Sequence, residues 1–159
     1  IVQRDDPRQR TADYRQALQA WLALGWFCRI VLAENSGADP GLFASEAAMM
    51  GERGVAFEFL ACPPGDQDQG RGKGFGEMGI IATALRRSQL IAAGGATQVV
   101  VKSTGRYVQT NAQRLAALAW RGLDGCAVVC DLRQHLTSAD SRVFAATTAF
   151  LDQHFLPLR

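Results

Sequence analysis

The residues with the chemistry to act fall in three short clusters: Glu34, Asn35, Ser36 and Asp39; then Lys102, Thr104, Gly105, Arg106 and Tyr107; then Asp131 to Arg133, followed by Asp140. Arg106 and Lys102 can each pair with a phosphate, arginine as a planar fork and lysine as a point charge. Asp131 and Asp140 are the candidates for general acid or base work, with Glu34 and Glu77 behind them. A further stretch, GKGFGE from Gly72 to Glu77, places Lys73, Gly74 and Gly76 before an amphipathic pattern. The exposed N–H groups of a helix start there would favour an anion, and Arg71 and Lys73 add positive charge, so a pyrophosphate suits the place. Each cluster has a plainer counterpart: Arg106 paired with Asp131 or Glu77, Asp140 as a first-turn helix acid, and ENSGADP as an ordinary turn.

Other chemistries lack their residues. His135 and His154 have no companion at metal-ligand spacing, and Cys28, Cys62, Cys126 and Cys130 form no Cys-x-x-Cys pair, so no metal ligand is assigned. Ser36, Ser103 and Ser138 stand outside a G-x-S-x-G context, which argues against a serine hydrolase. GKGFGE follows a long loop after a later strand, whereas a dinucleotide fingerprint closes a tight turn directly after the first strand. A Rossmann-type oxidoreductase or methyltransferase is disfavoured for that reason.

The elements that position these clusters follow from periodicity. RDDPRQR reads as a loop, and a first helix runs from Thr11 to near Gly25 with Tyr14, Leu18, Trp21 and Leu22 on one face. Strands are predicted at Cys28 to Ala33 and Val55 to Leu60, with a weak helix from Pro40 to Gly51 between them. Cys62 to Glu77 reads as a long loop, and a helix from about Phe75 to Ala93 follows it. A strand then starts at Val99, a helix spans Thr110 to Arg121, a strand spans Cys126 to Arg133, and a last helix covers about Ser138 to Gln153. The alternation predicts a three-layer α/β sandwich, a mostly parallel sheet with helices on both faces. Parallel strands would bring the polar clusters to one rim, where open α/β sheets bind ligands.

With 159 residues, 48% hydrophobic and 20% charged, the chain has the size and core of one domain. Its net charge of +2 gives no basic stripe for a nucleic acid. No apolar run reaches the roughly 18 residues of a membrane span, and no targeting peptide is visible. Trp21, Trp26 and Trp120 read as core, and the cysteines as buried, reduced thiols. A soluble chain in the reducing cytoplasm is the expectation.

With these residues in view, the chain resembles the bacterial capsule and lipopolysaccharide type of glycosyltransferase with a GT-A nucleotide-sugar-binding fold. ENSGAD resembles the family's D-N-x-S-x-D turn, which contacts the nucleotide base. GKGFGEMGIIATAL resembles the segment leading the helix beneath the sugar nucleotide. VVVKSTGRYV resembles the K-x-T-G-R-Y variant of the strand that carries a metal-binding Asp-x-Asp in many relatives, and CDLRQHLTSADSRVFAATTAFL resembles the downstream strand and D-S-R-x-F helix. The resemblance implies a single GT-A-like domain over residues 1–159. Relatives open with a full strand, and Ile1 and Val2 stand where it would end, so the native N-terminal strand is expected to be lacking here.

The activity implied is transfer of a sugar from a nucleotide-sugar donor to a glycan or lipid-linked acceptor in surface polysaccharide synthesis, peripheral at the membrane. Asp39 and its turn would face the base, Lys73, Lys102 and Arg106 would neutralise the diphosphate, and Asp131 or Asp140 would be the acceptor base. The family's divalent cation, Mn or Mg, lacks its Asp-x-Asp, since Lys102 to Arg106 follow Val101. The alternative is a non-catalytic GT-A-like binding or assembly module.

Overall fold

Asp6 and Pro7, which read as part of a charged loop, start the first helix instead. In the computed structural model, which describes residues 6–63, 72–110, 112–123, 125–133 and 138–158, α1 is Pro7–Ala23. Asp6 Oδ1 accepts the Arg8 N–H at 2.9 Å, and proline at the first helical position needs no N–H partner. The helix stops before Gly25, whose φ of 68° suits glycine.

The strand β1 (Arg29–Glu34) leads into a 3-10 turn at Pro40–Phe43, then α2 (Ala44–Glu52) and β2 (Ala56–Ala61). The two strands pair in parallel, from Arg29 opposite Ala56 to Glu34 opposite Ala61. Leu18 and Leu22 of α1 pack with Leu32, Phe43 and Met50 to make the core, and Phe57 and Phe59 lie against it. Phe59 stacks on Phe43 at 5.6 Å between ring centroids, and Tyr14 meets the same ring edge-on at 6.2 Å. One buried carboxylate, Glu46, is held beside this core by Arg15 at 3.6 Å and by Ser45 at 2.9 Å.

Two helices follow, α3 (Gly72–Arg87) and α4 (Gln89–Ala92). The glycine-rich GKGFGE is therefore the opening of α3 rather than a loop ahead of it. The continuous helix expected to Ala93 breaks at Ser88, which is buried and donates its hydroxyl to Glu58 Oε2 at 2.6 Å. Glu58 also accepts the N–H groups of Gln89 and Leu90, both at 3.2 Å, so a carboxylate from β2 caps α4. Since Phe57 and Phe59 point to α1 and α2 while Glu58 points to α4, the helices cover both faces of the parallel pair.

The remaining strands are β3 (Val99–Ser103), β4 (Val128–Arg133) and β5 (Ser138–Thr147), with α5 (Ala112–Gly122) between β3 and β4 and a helical end from α6 (Thr148–Phe150). They form a three-stranded antiparallel sheet in the order β3-β5-β4. The chain is thus mixed α/β, but the mostly parallel sheet expected from the alternation is instead a parallel pair and an antiparallel trio. The cause is the segment from Ser138, expected as a helix: it is the central strand, with Ala145 and Ala146 both buried.

Two smaller expectations also fail. Trp26 is 51% exposed, and Cys28 and Cys126 are exposed because they precede β1 and β4 rather than lying in them. Cys62 is buried, and burial pushes its thiol up.

Burial pushes the Glu58 carboxyl up, but hydrogen bonds from Ser88, Leu90 and Gln89 outweigh it and leave it below its ordinary 4.5. A carboxyl lowered in the folded state stabilises fully above its unfolded value and loses that contribution as pH falls through the folded one. Glu58→Gln is expected to cost about 1 kcal/mol at neutral pH. Urea unfolding followed downward through the carboxylate range should show the gap between variant and wild type closing.

Candidate functional site

The C-terminal end of β3 carries the site. Gln98, just before β3, meets Arg29 of β1 through a side-chain hydrogen bond of 3.3 Å, while Gly105, just beyond it, sits beside Tyr14 and Leu32. β1 and β3 therefore run in the same direction and end at one rim. A Cβ on Gly105 would lie 2.6 Å from the Tyr14 ring, so only glycine lets α1 approach the turn this closely.

Beneath that rim Glu77 of α3 gathers three groups. Lys102 Nζ lies 2.5 Å from Glu77 Oε1, Thr104 Oγ1 donates to the same oxygen at 2.9 Å, and Ser141 Oγ donates to Oε2 at 3.3 Å. Lys102 also donates to Thr104 Oγ1 at 3.3 Å and to the Ser141 carbonyl. The Lys102 side chain is 11% exposed, so this pair is largely out of water and every donor of the ammonium is used. The pair joins α3, β3 and β5 at one point.

Beside it, Arg142 grips Asp140 with two parallel contacts, Nε to Oδ1 at 3.0 Å and Nη2 to Oδ2 at 2.5 Å. Those hydrogen bonds, and then the Asp140 charge, raise the Arg142 guanidinium above its ordinary value, and the charges of Tyr107 and Asp131 add to the effect. Asp131 is exposed and lies where the β4–β5 register slips between Cys130 and Leu132. Bulges of this kind re-aim a side chain at a sheet's edge. Arg106 is exposed at the rim and has no carboxylate partner among the described residues; its charge reaches Tyr14. Burial and then the Glu34 charge push the Tyr14 hydroxyl up, while Arg106 and Arg10 oppose them.

A cleft of about 1160 Å³ opens between β1 and β3, and it collects most of the expected residues: Asn35, Gly74, Gly76, Glu77, Lys102, and Thr104 to Tyr107. The other members of the turn after β1 serve the turn. Glu34 is 4% exposed and accepts the N–H groups of Ser36 at 2.7 Å and Ala38 at 3.4 Å, and Asp39 caps the 3-10 turn through Gly41 N at 2.8 Å. Asp131 and Asp140 stand outside the cleft wall, reaching it through Arg142. The Lys73 side chain lies outside the described residues, as does Arg71.

Three residues enter the site that were not among the candidates for it. Tyr14 carried only the signal of an inward helical position, whereas Ser141 and Arg142 lay in the SADSRVF run taken as helical. At the end of β3, where the resemblance would put an Asp-x-Asp, Lys102 stands against Glu77, and an ammonium with its carboxylate does not fit a divalent cation. Among the described residues no group of three or more His, Cys, Asp or Glu is placed to hold a metal. Among the described residues no helix is long and apolar enough to cross a membrane.

Set against known families, curated proteins and solved structures, the chain matches none of them.

Removing one partner of a largely buried pair strands the other charge. Lys102→Met is expected to cost about 2–3 kcal/mol in denaturant unfolding, and Lys102→Met with Glu77→Gln less than the sum of the single changes. Additive single effects would show that the two groups do not act as a pair.

Proposed function

We propose that the chain binds a nucleotide-sugar donor at the rim shared by β1 and β3 and transfers the sugar to a hydroxyl of a glycan or lipid-linked acceptor. The observation that carries this reading is convergence. Asn35, Arg106 and Tyr107 reach one rim from two strands that run in the same direction, beside Gly74 and Gly76 near the start of α3. Arg106 holds its charge there without a carboxylate partner among the described residues. The GT-A-like layering belongs to the same proposal: the parallel pair with helices on both faces supports it, and the antiparallel trio departs from it.

In the transfer, the acceptor oxygen bonds to the anomeric carbon as the bond from that carbon to the diphosphate oxygen breaks. The hydroxyl proton passes to a carboxylate, and the diphosphate leaves with its added negative charge. Asp131, exposed where the β4–β5 register slips, and Asp140, held by Arg142, are the two candidates for the proton. Arg106 suits the leaving group, since a fixed cation stabilises charge that grows in the transition state. Lys102 acts through structure, with its charge matched by Glu77. Surface polysaccharide synthesis is the setting in which donor and acceptor of these kinds meet.

A second reading, a nucleotide-sugar-binding module without catalysis, is favoured by one observation. Lys102, Asp140 and Arg142 are all committed to internal pairs.

Thermal unfolding against nucleoside diphosphates and nucleotide sugars, with and without manganese, tests the donor site. One nucleotide at about 100 times its Kd should stabilise by about 2.7 kcal/mol, with or without the metal, and Arg106→Ala should abolish the shift. Donor hydrolysis lost in Asp131→Asn with the shift retained would favour the enzyme. A shift without hydrolysis in wild type would favour the module, and no shift with any nucleotide sinks both.

A further inference from the structure

The cleft beneath the rim holds polar groups that the fold leaves unmatched. Ser103 lines it, and the Ser103 hydroxyl is buried with no hydrogen-bond partner among the described residues. Tyr14 lines it from α1, where burial and the charges of Glu34, Arg106 and Arg10 act on its hydroxyl and no hydrogen bond among the described residues does. Folded proteins leave few groups of this kind, so each calls for a partner from outside the fold. One step about χ1 re-aims the Ser103 oxygen without disturbing the strand.

Strand alternation puts both hydroxyls on one side of the cleft. Lys102 and Thr104 reach Glu77 of α3, so Ser103 and Gly105 face the other way, and Gly105 is where the Tyr14 ring packs. Trp21, further along α1, meets Phe27 just before β1, so the helix runs from the rim downward. Arg10 stands four residues before Tyr14 and therefore lies one turn nearer the rim on the same helical face. The ion pairs among the described residues use Arg15, Lys102 and Arg142, and neither Arg10 nor Arg106. Two uncommitted guanidinium groups thus stand above two uncommitted hydroxyls.

The walls below the rim narrow the ligand further. Leu18 and Trp21 of α1 and Ile80 and Ile81 of α3 make its faces apolar. Its sides are strand edges. Ala56 N donates to Cys28 O and Cys62 N to Glu34 O, so the alternate residues Val31 and Ala33 turn their N–H and C=O groups away from β2. Thr148 N donates to Gln98 O and Thr104 N to Arg142 O, which leaves those of Val99 and Val101 turned away from β5. A fitting ligand has flat apolar faces, a polar edge of donors and acceptors, and negative charge at one end. A sugar ring would press hydroxyls against the apolar helices, and an acyl chain would leave the strand edges and both hydroxyls unpaired. A heterocyclic base joined to a diphosphate has all three properties.

We propose that the base of the donor nucleotide enters this cleft with the Tyr14 and Ser103 hydroxyls at its edge, and that Arg10 joins Arg106 on the diphosphate. The inference rests on the reading of the rim as a donor site and adds an orientation to it, base inward and sugar outward. The turn after β1, expected to face the base, has its carboxylates engaged elsewhere: Glu34 accepts from Ser36 N and Asp39 from Gly41 N.

Equilibrium binding of uridine, cytidine, adenosine and guanosine diphosphates, and of pyrophosphate, tests it in the chain and in Tyr14→Phe, Ser103→Ala and Arg10→Gln. One nucleotide is expected to bind at least about tenfold more tightly than pyrophosphate. Tyr14→Phe and Ser103→Ala should each weaken that nucleotide by about threefold to tenfold and leave pyrophosphate unchanged, whereas Arg10→Gln should weaken both. Ser103→Ala should leave the thermal midpoint unchanged or raise it, because the hydroxyl it removes has no partner to lose. A nucleotide that binds both hydroxyl variants as tightly as wild type, or a loss shared equally by pyrophosphate, overturns the inference and leaves the donor site standing. Binding of none of the nucleotides overturns both.

Discussion

The ion pair of Lys102 and Glu77 is the constraint on which the rest of the structure leans. It stands where three elements meet, so the register of β3 against β5 and the seating of α3 on both are fixed by a single desolvated contact. Such a contact contributes little if compared with an apolar replacement, yet it tolerates no displacement, because an ammonium moved from its carboxylate by a residue's length would be stranded. The turn beyond β3 inherits that precision: Thr104 is tied to the same carboxylate, and Gly105, Arg106 and Tyr107 follow from it.

Seen from the rim, charge is divided between scaffold and surface. Lys102, Arg142, Glu77 and Asp140 neutralise one another inside the rim, whereas Arg106 and Asp131 stand exposed. If the proposed donor binds there, it meets the guanidinium of Arg106 without displacing a carboxylate of the described residues. The same division explains why residue type alone overstates the site: Lys102, Glu77, Arg142 and Asp140 are spent on holding it together.

Local chemistry made much of the fold legible. The β-branched runs of β1 and β3, closed by turn residues, announce strands, although β3 is half-buried throughout rather than buried, and residues after both reach one rim. What was not legible depended on partners far along the chain. Val143, Thr147, Phe150 and Leu151 fit a helical face, and only the flanking β3 and β4 make a strand of that segment, burying Ala145 and Ala146 together. Ser88 lies on the apolar stripe of a helix until Glu58, thirty residues earlier, supplies the acceptor that breaks it. Asp6-Pro7 fits both a loop and a helix start, and its N-cap bond decides. Nothing near Glu77 marks it as the partner of Lys102.

The position of β5 in the chain also sets an order of events. The core of the parallel pair lies between α1 and β2, and its other face is covered once α3 and α4 have followed. The antiparallel trio is different, because its middle strand is the last to be synthesised. As the chain emerges from a ribosome, β3 and β4 have no ladder partner until the residues up to Thr147 have followed them out. Until then both strands present open edges, and a nascent chain arrested before Ser138 would carry one finished half and one half without its keystone.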